Sequence, residues 1–299
     1  MSEPQPQTSQ LDKDLCGIAN LHRFWHAAMA ATFEVFVIHQ DAVYAEQAAW
    51  AAFEELDRLE ANLSRFIENS DVSRINSLGP GRPLQIGLDT FECLRISIEM
   101  CKQTKGAFDI TFGSLHPGSK LMKLNEADHT IELLDDGIQI DLGAIGKGYA
   151  ADKMGQLLGD WGINTVLISA GQSTIMPIGT PPGLTGWPVT LSDPADCRQL
   201  LAKCNLAGRA ISASGLQKGP HIIDPRSGMP ATGKRLAAWA TAQTGAVADA
   251  LSTAFMVMTA ERVRAFCSAH ADTSALLVNK KVGGRLLRFG QWDKADFCG

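Results

Sequence analysis

Segments of strand character and segments of helix character are interleaved along this chain without alternating one for one. That argues against a doubly wound parallel sheet and for an α+β architecture. Residues 32–39, Thr-Phe-Glu-Val-Phe-Val-Ile-His, are aromatic and β-branched and predict a strand. An alanine-rich helix is expected over 42–66, with Trp50, Phe53, Leu56, Leu59 and Leu63 as its apolar stripe. A second helix is expected over 89–104, where Asp89 can cap the first turn, Phe91, Leu94, Ile98 and Cys101 recur at helical spacing, and Gly106 ends the run. Residues 131–140 read as two strands around the Asp136-Gly137 turn. Beyond them the pattern predicts a helix over 147–159, a buried strand over 165–169, a strand over 210–213 and a helix from about 247 to 258. The apolar runs 276–278 and 286–287 suggest a closing hairpin around Gly283-Gly284.

Composition narrows the partners. With 45% hydrophobic and 20% charged residues in 299, the chain can bury a sizeable core, and its net charge of −5 offers no general attraction for nucleic acid or anionic lipid. No stretch approaches the ~18 consecutive apolar residues of a membrane span. Seven cysteines, an odd number without metal-site pairing, fit reduced thiols in the cytoplasm. Residues 1–20 are polar and proline-containing, so they are expected to form a disordered or loosely attached arm, with regular structure beginning near Phe24 and one unit spanning 21–299. They lack an apolar signal core, so Cys16 is not expected to be a lipid anchor.

Four segments can carry chemistry. Asp141-Leu-Gly-Ala-Ile-Gly-Lys-Gly-Tyr-Ala-Ala-Asp152 sets small residues and Lys147 between a strand and a helix, so backbone amides and one cation can meet a phosphate; a plain tight turn is the alternative. It lacks the spacing of a Walker A loop. Asp249 and Thr253, four residues apart, share one helix face and offer hard oxygens to Mg²⁺, which needs few protein ligands when phosphate and water complete its shell; helix capping by Asp249 is the other reading. His221, in His-Ile-Ile-Asp-Pro-Arg-Ser-Gly228, can be a general base or a hydrogen-bonded strand histidine, and Asp224 before Pro225 reads as a turn residue. In Gly106-Ala-Phe-Asp-Ile-Thr111, Phe108 can stack on a ring or fill the core.

Six blocks, in order over residues 29–253, resemble the ApbE family of flavin transferases, the FAD:protein FMN transferases. They are Met29 with Thr32-Phe-Glu-Val; Leu63-Ser-Arg-Phe66 running to Ser70-Asp-Val-Ser-Arg-Ile-Asn76; Gly106 to Thr111; Asp141 to Asp152; Ser214-Gly215 with His221 to Gly228; and Ala248-Asp-Ala-Leu-Ser-Thr253. The chain departs from the family in several places. Met-Gly-Thr becomes Met29-Ala-Ala-Thr32, the Gly-Gly-Asn or Gly-Gly-Asp after the buried strand becomes Ala170-Gly-Gln-Ser173, and the segment between Gly215 and His221 is short and lacks a tyrosine. The usual Trp-Gly after the Gly-Ala-Phe-Asp block is also missing.

The resemblance implies an ApbE-like (T-fold-like) arrangement of mixed sheets with packed helices in a single compact catalytic unit. It implies Mg²⁺ as cofactor and FAD as substrate, cut at its pyrophosphate, with FMN joined by a phosphoester to a threonine or serine of an acceptor flavoprotein and AMP released. By similarity Asp249, Thr253 and the Ala144 carbonyl hold the metal. Met29, Ala107, Phe108, Asp109, Lys147 and Ile222 line the FAD site, while His221 matches the position proposed as the base; His221 or Asp249 would assist deprotonation of the acceptor hydroxyl. Two other activities suit the same residues: an FAD pyrophosphatase using water in place of the acceptor, and a protein that binds FAD without chemistry.

Overall fold

The computed structural model describes residues 10–114, 118–196, 198–217, 219, 221–231, 235–280 and 286–292. In chain order, a short helix α1 (Gln10–Asp14) precedes the hairpin β1 (Leu21–Ala28) and β2 (Ala31–Ile38), then helices α2 (Ala42–Leu63) and α3 (Asp71–Asn76). Strand β3 (Pro83–Gln85), helix α4 (Leu88–Gln103), strands β4 (Met122–Asn125) and β5 (Thr130–Leu133) and helix α5 (Gly146–Asp160) follow. Next come β6 (Val166–Ala170), β7 (Thr174–Ile178), β8 (Trp187–Ser192), β9 (Leu200–Leu206), β10 (Ala210–Gly215) and the two-residue strands β11 (Ile223–Asp224) and β12 (Met229–Pro230). The chain closes with β13 (Arg235–Ala242), α6 (Gly245–Val257), α7 (Ala260–Ala269), β14 (Ser274–Asn279) and β15 (Leu286–Phe289).

An eight-stranded sheet in the order β1-β2-β6-β7-β10-β13-β14-β15 organises the molecule, and every neighbouring pair in it is antiparallel. Successive side chains of a strand point to opposite faces, and both faces of this sheet are covered. Phe33, Val35 and Val37 of β2, Ile168 of β6 and Leu277 of β14 face the helices α2, α4, α5 and α6 in the larger core. Phe36, Leu167, Trp239 and Leu276 face the other way, onto the β8–β9 hairpin and its Trp187.

Several sequence expectations change here. The amino-terminal segment is not loose throughout: Leu11 and Leu15 are buried in the smaller core, and the Asp14 carboxylate accepts from the Thr190 amide at 2.9 Å and hydroxyl at 2.8 Å. Regular structure thus begins before Phe24, and residues 1–9 lie outside the described part. Trp50 does not belong to the buried stripe of α2; it is half exposed against His26 and Phe53, while Ala45, Ala48, Ala49 and Ala52 fill the contact instead. Gly87, not Asp89, occupies the N-cap of α4, and Asp89 pairs with Arg58 at 2.6 Å.

Residues 131–133 form a strand, but the hairpin around Asp136-Gly137 does not. Residues 130–133 pair with 122–125 upstream, and Ile140 is held by the Asn76 side chain, whose Nδ2 donates to its carbonyl at 3.0 Å and whose Oδ1 accepts from its amide at 2.7 Å. One asparagine replaces the missing partner strand. At the carboxyl end β14 and β15 pair as expected, but the Gly283-Gly284 turn lies outside the described residues.

Candidate functional site

Helices α5 and α6 cross at glycines, and that crossing builds the site. A side chain at Gly148 would put its Cβ 2.1 Å from the Gly245 carbonyl oxygen, so only glycine permits this approach. Asp152, one turn further along α5, caps α6 by accepting from the Gly245 and Ala246 amides at 2.6 and 2.9 Å. Burial pushes its carboxyl up to about 6, against the two amide bonds, with the nearby Asp249 charge adding to the rise. Thr244 supplies the ordinary cap of α6, accepting from the Val247 amide, so Asp249 is free of the capping role that sequence alone left open.

Asp249 is 3% exposed. Its Oδ2 accepts from the Gly148 amide at 3.2 Å and lies 3.9 Å from Lys147 Nζ, and its Oδ1 accepts from Ser212 Oγ at 3.2 Å. The Gly148 amide is thereby diverted from the carbonyl four residues back, Ala144, and that helical bond is not made. Thr253 lies one turn beyond Asp249 on α6, its Oγ1 3.1 Å from Ser214 Oγ. A buried carboxylate, a hydroxyl and a carbonyl without its helical donor are oxygens of the hard kind that suits Mg²⁺. The described residues contain no cluster of three or more His, Cys, Asp and Glu side chains, so a cation here would complete its shell with water or phosphate.

Met29 and Lys147 line one cavity of about 160 Å³ together with Ala30, Leu63, Gly143 and Gly146. Met29 and Ala30 form the two-residue turn of the β1–β2 hairpin, both left-handed at φ +53°, the geometry of a type I′ turn. The β6–β7 turn packs beside it: Gly171, at φ +63°, donates its amide to the Thr32 carbonyl at 3.0 Å, and a Cβ there would lie 3.6 Å from Lys147 Cδ. An adjoining cavity of about 620 Å³ is lined by Ser73, Asn76, Phe112 and Gln139. Arg65, Phe66 and Asp141 line both. Phe66 is 83% exposed, with the Arg65 guanidinium 4.7 Å from its ring centroid, and Arg65 also pairs with Asp141 at 3.4 Å.

The other expected residues lie apart from these cavities. Ala107, Phe108 and Ile222 are buried in the core. Asp109 is consumed by its own loop, its two oxygens accepting from Thr111 N and Oγ1, Ser119 N and Oγ, and Cys101 Sγ. His221 is exposed, and its Nδ1 donates to the Gly219 carbonyl at 2.9 Å, which leaves the lone pair on Nε2. The 106–109 and 221–228 segments meet through Arg226: a Cβ on Gly106 would lie 3.7 Å from Arg226 Cγ. Arg226 binds Asp224 at 2.7 Å and donates to the Val257 carbonyl at 3.0 Å, while Arg235 Nη1 donates to the Met258 carbonyl at 2.9 Å. Two cations thus hold the carboxyl end of the helix that carries Asp249 and Thr253.

Sequence reasoning gave no role to Arg65, Phe66, Ser212 or Ser214. An aromatic residue directly after an arginine at a helix end is a weak signal, and serines two apart in a strand are a stronger one.

A model of the ApbE family matches residues 29–277. The chain is 26% identical to a protein of Buchnera aphidicola named FAD:protein FMN transferase, over 76% of this chain and 77% of that one. It is also 26% identical to a Klebsiella pneumoniae protein of the same name, over 79% and 78%. The crystal structure of the ApbE protein from Thermotoga maritima superposes with a TM-score of 0.80 at 24% identity, covering 90% of this chain and 97% of that one, so the fold is ApbE-like.

Proposed function

This chain belongs to the ApbE family, and from that membership and the α5–α6 geometry we propose that it is a magnesium-dependent FAD:protein FMN transferase. The observation that carries the reading is the diverted Gly148 amide. It braces Asp249 Oδ2 at 3.2 Å while leaving the Ala144 carbonyl without its helical donor. Magnesium bound there supplies charge neutralisation at the diphosphate bridge of FAD.

The chain's own residues do the rest. Lys147 adds a second positive charge beside Asp249, and the glycine-rich 141–148 segment lets backbone approach the phosphates closely. Met29 and Phe66 give apolar surface to one end of the dinucleotide. Ala107, Phe108, Asp109 and Ile222, whose side chains are buried, contribute backbone and shape near the other. His221 Nε2 takes the proton of the acceptor's threonine or serine hydroxyl as its oxygen bonds to the FMN phosphorus. The bond to the bridging oxygen breaks, and AMP leaves. Free thiols at Cys16, Cys93, Cys101 and Cys267 suit the cytoplasm as the place of this reaction. Among the described residues no helix is long and apolar enough to cross a membrane.

The test is intact mass spectrometry of candidate acceptor flavoproteins from the same cell, incubated with the protein, FAD and Mg²⁺. One FMN added to a threonine or serine, with equimolar AMP, is the expected result. AMP and free FMN without modified acceptor would instead assign a pyrophosphatase, and intact FAD would assign a binding protein.

A further inference from the structure

We propose that Ser212 and Ser214 of β10 are positioning residues that aim the two side-chain ligands of α6, Asp249 and Thr253, at one shared cation; this rests on the metal site proposed above. Residues two apart on a strand face the same way and are separated by about 6.6 Å. Residues four apart on a helix also share a face and are separated by about 6 Å. Strand β10 lies against α6 so that these repeats coincide. Ala210 packs on Ala248, Ser212 meets Asp249 at 3.2 Å, and Ser214 meets Thr253 at 3.1 Å.

Proton accounting gives each contact a direction. A carboxylate only accepts, so Ser212 donates to Asp249 Oδ1. Its proton spent, Ser212 must accept in its 2.8 Å contact with Thr174, its cross-strand partner in β7, so Thr174 donates. All three groups are buried. On the second rung Ser252 Oγ donates to the Asp249 carbonyl at 2.9 Å, so in its 2.7 Å contact with Ser214 it accepts. Ser214 has then spent its proton, and Thr253 donates to it at 3.1 Å, a shorter contact than its 3.4 Å alternative to the Asp249 carbonyl. The Thr253 hydrogen is drawn toward β10, and its lone pairs are left for a cation. The two serines thereby fix the rotation of both ligands before any ion arrives, which lowers the ordering cost of binding.

The test titrates Mn²⁺ into the full chain without FAD, reading free ion by electron paramagnetic resonance, with a thermal melt in parallel. Ser212→Ala is expected to raise the Mn²⁺ Kd about tenfold, and the isosteric Thr174→Val, acting through Ser212, about threefold. Ser214→Ala is expected to raise it about threefold in the wild-type background and not at all in a Thr253→Val background. A purely structural role predicts lower Tm with unchanged Kd, and that result overturns the proposal. So does an equal effect of Ser214→Ala with and without Thr253. If Ser212→Ala does not fold, unchanged Mn²⁺ affinity in folded Thr174→Val is decisive against the Ser212 rung. Asp249→Ala separates the two levels of inference. Loss of binding in that variant with normal binding in the serine variants overturns only this proposal, whereas normal binding in Asp249→Ala removes the metal site itself.

Discussion

Asp249 and His221, the two groups proposed to serve the reaction, are held in opposite ways. Asp249 is 3% exposed and braced by α5, β10 and its own helix, with an amide on one oxygen and a hydroxyl on the other. His221 is exposed, and the bond seen at its ring runs to the Gly219 carbonyl two residues away. The difference follows from chemistry. A cation site must present oxygens at fixed separations before the ion arrives, so it is built on helices and a strand. A base that serves another protein's hydroxyl must be reachable by that protein, so it stands on an exposed segment.

The sharpest way to break this contrast is Asp249→Ala. On the order of a thousandfold loss of turnover is expected, with Tm little changed, because a ligand is lost and little volume. Parallel FMN-transfer kinetics and calorimetry check it, and a Tm loss matching the activity loss would make Asp249 a structural residue. Gly148→Ala attacks the rigid region as a whole. With 2.1 Å available for the new Cβ, α5 and α6 must separate, at a cost of about 3 kcal/mol or more in urea unfolding.

His221→Ala probes the exposed side. It should slow transfer about a hundredfold while leaving Mn²⁺ affinity and Tm unchanged. A shift in Mn²⁺ affinity would mean that the two regions are one.

Asp152 makes the rigid region sensitive to pH. Burial raises its folded-state pKa to about 6, above the ordinary carboxylate value, so the native state binds the extra proton. The stability this confers is complete below the unfolded pKa and is lost as pH rises through about 6. Wild type should therefore lose on the order of 2 kcal/mol relative to Asp152→Asn between pH 4 and pH 7, and a flat difference would contradict the burial argument. The smallest effect belongs to Phe66→Ala at the cavity rim. The FAD KM should rise about tenfold at most with kcat retained, because an exposed ring contributes contact area and no chemistry.

Legibility in the sequence followed how local each signal was. The α2, α4, α5 and α6 segments were readable because their apolar spacing is internal to each helix. The turn at Asp136-Gly137 was misread because a hairpin signal says nothing about the partner strand. The partner came from Met122–Asn125, and Asn76 took up Ile140 from 64 residues away. The amino-terminal segment was misread because two leucines in a polar stretch carry little weight until a hairpin 170 residues on offers them a core. At the site, Asp249 and Thr253 were legible as a spacing on one helix. Their partners Gly148, Ser212 and Ser214 were not, since each arrives from another element and only packing reveals the match.

The central claim is that a single divalent cation sits between Asp249 and Thr253, against the diphosphate of bound FAD. Anomalous diffraction from crystals grown with FAD and Mn²⁺ tests it most directly. The account predicts one peak within coordination distance of Asp249 Oδ, Thr253 Oγ1 and the Ala144 carbonyl, touching a phosphate oxygen. A bound dinucleotide with no peak there, or with manganese held elsewhere, would contradict it.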